Sequence, residues 1–212
     1  MDRKLDASTS QVAQMIPVTV CTPTIPPRGK VLARSIHSVS QQTTQPEAHL
    51  IMVDVHRQGA PAMIDKTIRQ ANTEWVATLA DDDELLPNHL EVMWDLITSQ
   101  NADIAFTHFR YSDRNDAGHL EKFRGVPFDN NNPRQMTGVF MARKDLLLEV
   151  GGHSSDFDPL SYERDGEGNR IGEDFIIVKR LAAAGARFAV SPEVTWIYHT
   201  GHGNTLGMPN AW

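Results

Sequence analysis

Residues Glu74 to Glu91 read EWVATLADDDELLPNHLE, and the fold turns on how that stretch divides. Glu74 to Ala80 is short, apolar and rich in strand-forming residues, which predicts a buried strand. Pro87 opens a helix in which Leu90, Met93, Trp94 and Ile97 recur three and four apart. Asp81, Asp82 and Asp83 stand between the two. Aspartate is a poor strand residue and a poor helix-interior residue. The triplet is therefore a strand-to-helix turn, and its like charges call for a positive partner.

The same alternation extends to both sides. Ile16 to Thr22, IPVTVCT, is a strand stopped by Pro23. Residues 30 to 41 predict a helix with Val31, Leu32, Ser35, Ile36 and Val39 on one face. His49 to Val55 is a strand carrying Asp54, and APAMIDKTIRQA is a helix with Pro61 in its first turn. Asp103 to Phe109 is a fourth strand. The order βαβαβαβ predicts an α/β fold with a mostly parallel sheet covered on both faces. Beyond Arg110 the pattern is less regular: a hairpin or loop, then the strand TGVFMA and a short helix closed by Gly151 and Gly152. Residues 153–170 form a long polar loop, and Gly172 to Gly185 a helix with a glycine C-cap. Two last strands, ARFAVSP and VTWIYHT, precede an aperiodic tail. No repeat and no linker divides the chain, which predicts one domain.

With 212 residues, 22% charged and 40% hydrophobic, the chain can bury a substantial core. A net charge of -7 argues against a nucleic-acid coat, though a metal ion can still mediate contact with an anionic substrate. Cys21 is the only cysteine, so no internal disulfide forms and a reducing, cytoplasmic setting is expected. No run of 18 apolar residues occurs, and residues 1–15 lack a secretory h-region and read as a flexible leader.

Open α/β sheets bind ligands at the carboxyl ends of their strands. Asp54 and the triplet fall there. A divalent cation with a diphosphate would hold the triplet together, since Mg²⁺ and Mn²⁺ take one or two carboxylates plus substrate phosphates. A solvated acidic turn capping the next helix would account for it too. Glu173 and Asp174 open the helix after the polar loop, where a carboxylate can cap the helix or act as a general base. His199 ends a strand and His202 sits in a glycine turn; each is either a ligand or a structural residue.

Taken in order, CTPTIPPR, IMVDV, DDDELLP, TGVFMARKDLLLEVGG and GEDFIIVKRLAAAG resemble the GT-A glycosyltransferases, in particular the family-two, mostly inverting, nucleotide-sugar-dependent group. The resemblance covers residues 16–200. It implies a Rossmann-like three-layer sandwich: a nucleotide-binding half over 16–109, an acceptor-binding half over 110–199 and a flexible tail over 200–212. It implies that Thr22, Pro23, Thr24, Arg28, Asp54 and Asp81 bind the nucleotide. Asp82, Asp83 and His199 are implied to bind Mn²⁺ or Mg²⁺, with Asp82 favoured. Asp174 is implied to be the catalytic base, with Glu173 orienting it or the acceptor. The implied reaction moves a sugar, from a UDP-sugar, to a hydroxyl of a glycan, small molecule or protein. The chain departs from the pattern at VDVHRQGA, where the family often has Asp-Asp-Gly-Ser, and at Ala80, where it often has aspartate. A sugar-phosphate nucleotidyltransferase and a non-catalytic nucleotide- or glycan-binding module are the alternatives. The first would normally carry a glycine-rich basic loop after the first strand, where TPTIPPRGK has only Gly29.

Overall fold

The computed structural model describes residues 14–113, 129, 138–153 and 173–200. Their elements are β1 (Met15–Thr24), α1 (Gly29–Ser40), β2 (Gln45–Val53), α2 (Ala60–Gln70), β3 (Trp75–Thr78), β4 (Glu84–Leu85) and α3 (His89–Gln100). After them come β5 (Ile104–Tyr111), β6 (Phe140–Arg143), α4 (Lys144–Glu149), α5 (Glu173–Ala183) and β7 (Phe188–Tyr198). A 3₁₀ turn, Pro26–Arg28, joins β1 to α1.

The seven strands form one sheet in the order β2-β1-β3-β6-β5-β7-β4. Alternation along the strands sends side chains into two cores. Val18, Val20, Ala77, Ala105 and Met141 face α1 and α3, where Val39, Leu90, Met93 and Ile97 receive them. Cys21, Val76, Ile104, Phe106 and Phe140 face α2, α4 and α5, against Ile64, Ile68, Leu147, Ile177 and Leu181. Helices cover both faces, giving the three layers expected for a GT-A sandwich.

The sheet is mixed, with most of its register pairs parallel as expected. β1–β2, β1–β3 and β5–β7 pair parallel, while β6 runs antiparallel to β3 and β5, and β4 antiparallel to β7. Periodicity specifies a strand but not its direction, so the reversal of β6 was not readable. β4 is two residues long and directly follows the acidic turn, too short to register as a strand in sequence. ARFAVSP and VTWIYHT form one strand, β7. Its register slips between Phe106 and His108 of β5, and Pro192 is absorbed in that irregularity.

Helix α1 also differs from expectation. Its buried residues are Ser35, Ser38 and Val39, whereas Ile36 is 38% exposed. Met15 already belongs to β1, and no described helix is long and apolar enough to cross a membrane.

Candidate active site

The first partner of the acidic turn is a side chain. Arg28 leaves the 3₁₀ turn after β1, and its Nη1 donates to Asp81 Oδ1 at 2.7 Å and Asp82 Oδ2 at 2.9 Å. Thr24, the last residue of β1, donates its hydroxyl to Asp81 Oδ2 at 2.6 Å. Arg34 of α1 donates Nη2 to the Asp82 carbonyl at 2.7 Å. Asp83 is buried and accepts the His199 backbone N–H at 3.1 Å. Desolvation drives the Asp83 carboxyl well above the usual range; the His199 N–H and Arg34 oppose that rise, while Asp82 and Asp81 add to it.

Behind the turn, α1 and the residues just after it present polar side chains three and four apart. Ser35 donates to the Ala80 carbonyl at 3.3 Å, and Ser38 accepts the Leu85 N–H at 3.1 Å. Gln42 donates to the Leu86 carbonyl at 2.8 Å and accepts the Leu90 N–H at 2.9 Å. The stretch Ala80–Leu90 is thus clamped backbone group by backbone group, which meets the rule that buried polar groups find partners. Apolar periodicity does not reveal these clamps. The spacing of Ser35, Ser38 and Gln42 was the available signal.

Asp174 reaches the same end of the sheet from α5. Its carboxylate lies against the bare Cα of Gly138: a Cβ there would stand 2.7 Å from Oδ2. The Gly138 carbonyl accepts the Thr78 hydroxyl at 2.7 Å, which ties this segment to the last residue of β3. Desolvation pushes the Asp174 carboxyl up to about 6, a range suited to accepting a proton near neutrality. Tyr198, the last residue of β7, lies in the field of both carboxylate groups. Its phenol is held up by desolvation first, then by Asp83, Asp82, Tyr111 and Asp174.

Thr22, Pro23 and Thr24 are buried at the end of β1, with Thr22 Oγ1 2.9 Å from His49 Nε2. Asp54 is buried, and its two oxygens accept the N–H groups of Gln58 and Gly59 at 2.9 and 2.7 Å. It shapes the loop into α2. The His199 ring lies 3.2 Å from Glu84 Oε2. Glu173 opens α5, but its side chain lies outside the described residues, as do His202, residues 154–172 and the tail from 201.

Among the described residues, no three His, Cys, Asp or Glu side chains converge as a metal cage. Mg²⁺ and Mn²⁺ demand less, since substrate phosphate completes their shells. Adjacent carboxylates at Asp82 and Asp83, one desolvated and linked through its backbone contact to His199, fit that smaller requirement.

Residues 55–153 match the family model "Glycosyl transferase family 2". The succinoglycan biosynthesis protein ExoO of Rhizobium meliloti is 26% identical over 178 residues, covering 75% of this chain and 47% of ExoO. The chain thus spans about half the length of that relative. Among solved structures, S. aureus TarS 1-349 in complex with UDP-GlcNAc superposes with a TM-score of 0.64 at 15% identity, over 90% of this chain and 60% of that one. TarS 1-349 in complex with UDP gives 0.59 at 13%, over 88% and 61%. Family match, relative and fold point the same way: over residues 55–153 the chain is similar to the family-two glycosyltransferases, and its fold is that of the GT-A structures it superposes on.

Proposed function

We propose that the chain transfers a sugar from a nucleoside diphosphate sugar, a UDP-sugar, to an acceptor hydroxyl with inversion. The observation that carries this reading is the placement of the Asp174 carboxylate against Gly138, which Thr78 ties to the end of β3 where the acidic turn begins. The TarS complexes with UDP and UDP-GlcNAc support the choice of donor nucleotide.

In this reading Thr22, Pro23, Thr24, Arg28, Asp54 and Asp81 form the nucleoside side of the site. A divalent cation, Mn²⁺ or Mg²⁺, held by Asp82 with Asp83 and His199, would supply positive charge to the diphosphate. Asp174 takes the proton of the acceptor hydroxyl. The acceptor oxygen forms its bond to the anomeric carbon as the bond to the diphosphate oxygen breaks, and the electron pair leaves with the diphosphate. A single displacement with a single base inverts the centre. Glu173 orients Asp174 or the acceptor.

The test is a panel of nucleotide-sugars with Mn²⁺, read as free nucleoside diphosphate. UDP release that falls by about 10² to 10⁴ in Asp174→Asn when acceptor is present supports the assignment. Release of pyrophosphate from a nucleoside triphosphate and a sugar phosphate would replace it with nucleotidyl transfer. Binding without turnover would replace it with a binding module.

A further inference from the structure

Among the described residues, four aromatic rings gather where β5 and β7 end. Tyr111 and Tyr198 are register partners in this parallel pair, and the Ser112 N–H bonds to the Tyr198 carbonyl at 3.0 Å. Their rings meet edge to face, with centroids 5.6 Å apart at 86°. Phe109 supports both from below, at 5.2 Å from Tyr111 and 5.7 Å from Tyr198, and Trp196 lies 4.7 Å from Phe109. Phe109 and Trp196 are buried, while the two tyrosines are only partly so. The outer pair is thus held on a rigid aromatic base.

Its position matters as much as its composition. His199, the residue after Tyr198, donates its N–H to Asp83. Asp83, Asp82 and Asp174 all lie near enough to act on the Tyr198 phenol. The tyrosine pair therefore lies beside the acidic turn, with Tyr198 within electrostatic reach of Asp174. A ring with an apolar C–H face and a polar rim suits such a wall, because tyrosine offers a π-face and a hydroxyl together. A lipid tail would have to pack beside three carboxylates, and the desolvation of those charges opposes it.

Resting on the transfer reaction above, we infer that Tyr111 and Tyr198 form the wall on which the acceptor packs, and that the acceptor is a saccharide. Tyr198 is the inner contact and Tyr111 the outer one.

Binding tests this without turnover. The whole chain is titrated with methyl β-D-glucopyranoside, methyl β-D-galactopyranoside and methyl N-acetyl-β-D-glucosaminide, read by saturation-transfer NMR and by tryptophan fluorescence. At least one glycoside is expected to bind. Tyr111→Ala should weaken it about tenfold, with Tyr111→Phe closer to wild type. In transfer assays the loss should fall on KM for the saccharide and not on KM for the UDP-sugar. Absence of glycoside binding in the wild type would overturn the inference. So would unaltered binding in a folded Tyr111→Ala, or a loss confined to donor KM. Glycoside binding that depends on Tyr111, in a chain that releases no UDP, would keep the saccharide wall and refute the transfer reaction instead.

Discussion

Gly138 and Asp174 are separated by 36 positions in sequence, yet a methyl group on the first would lie 2.7 Å from a carboxylate oxygen of the second and 3.2 Å from its carboxyl carbon. The contact leaves Asp174 no room to retreat on that side. Gly138→Ala should therefore displace the carboxylate rather than unfold the chain. Turnover is expected to fall by roughly 10- to 100-fold, since small misplacements of a reacting group are costly. Steady-state transfer rates with a circular-dichroism melt check it; full activity in a folded variant would show that the carboxylate has no fixed catalytic position.

The second expectation is a pH profile. Desolvation raises Asp174 from 3.8 to about 6, and only its ionised form can accept a proton. kcat/KM should fall on the acid side with an apparent pKa near 6. The same shift has a stability consequence of definite sign. The folded state holds the proton more tightly than the unfolded state, so this group's stabilisation is complete below about 4 and lost as pH rises through about 6. Asp174→Asn should thus melt above wild type at pH 8 and lose that advantage near pH 4. Calorimetric scans at both pH values decide the matter.

Gln42 bonds the Leu86 carbonyl and the Leu90 N–H from one buried side chain. Gln42→Leu keeps much of the bulk and strands both partners, at a cost of about 1–3 kcal/mol. The urea midpoint should drop accordingly. UDP affinity should drop with it if the clamp sets the geometry of the acidic turn; isothermal titration with UDP and Mn²⁺ reads the second effect separately.

Acid should unfold the protein early. Burial lowers His89 to about 3, with its Nδ1 2.6 Å from Thr195 Oγ1, and lowers His49 and His153 to about 4. An unfolded histidine binds its proton near 6.5, so stability present above that value is lost as pH falls toward 4. His89→Gln, if it folds, should make the urea midpoint less steep with pH over this interval. An unchanged slope would place the proton uptake elsewhere.

Much of the site could be read from residue order. Arg28, Thr24 and the triplet were assigned to one region, and the structure puts Arg28 and Thr24 on Asp81. Asp174 was singled out as a carboxylate at a helix start, and it begins α5 beside Gly138. The polar clamps of α1 and of Gln42 just beyond it are not visible in the sequence, because the hydrogen bonds from the Leu85 N–H to Ser38 and from the Leu90 N–H to Gln42 join residues more than 40 apart. Local periodicity carries no information about such partners.

The sequence by itself determined where most strands and helices lie, that helices cover both faces of the sheet, and that carboxylates collect at strand ends. Those properties follow from short-range spacing of apolar residues and turn formers. Tertiary structure alone decided that β6 runs antiparallel, that Pro192 sits within one long strand, and that Arg28 bridges Asp81 and Asp82. It also decided that Tyr198 lies within electrostatic reach of both the acidic turn and Asp174. Strand direction, burial and long-range pairing depend on how the whole chain closes its core, and desolvation, which sets the carboxyl of Asp174 near neutrality, exists only once that core has closed.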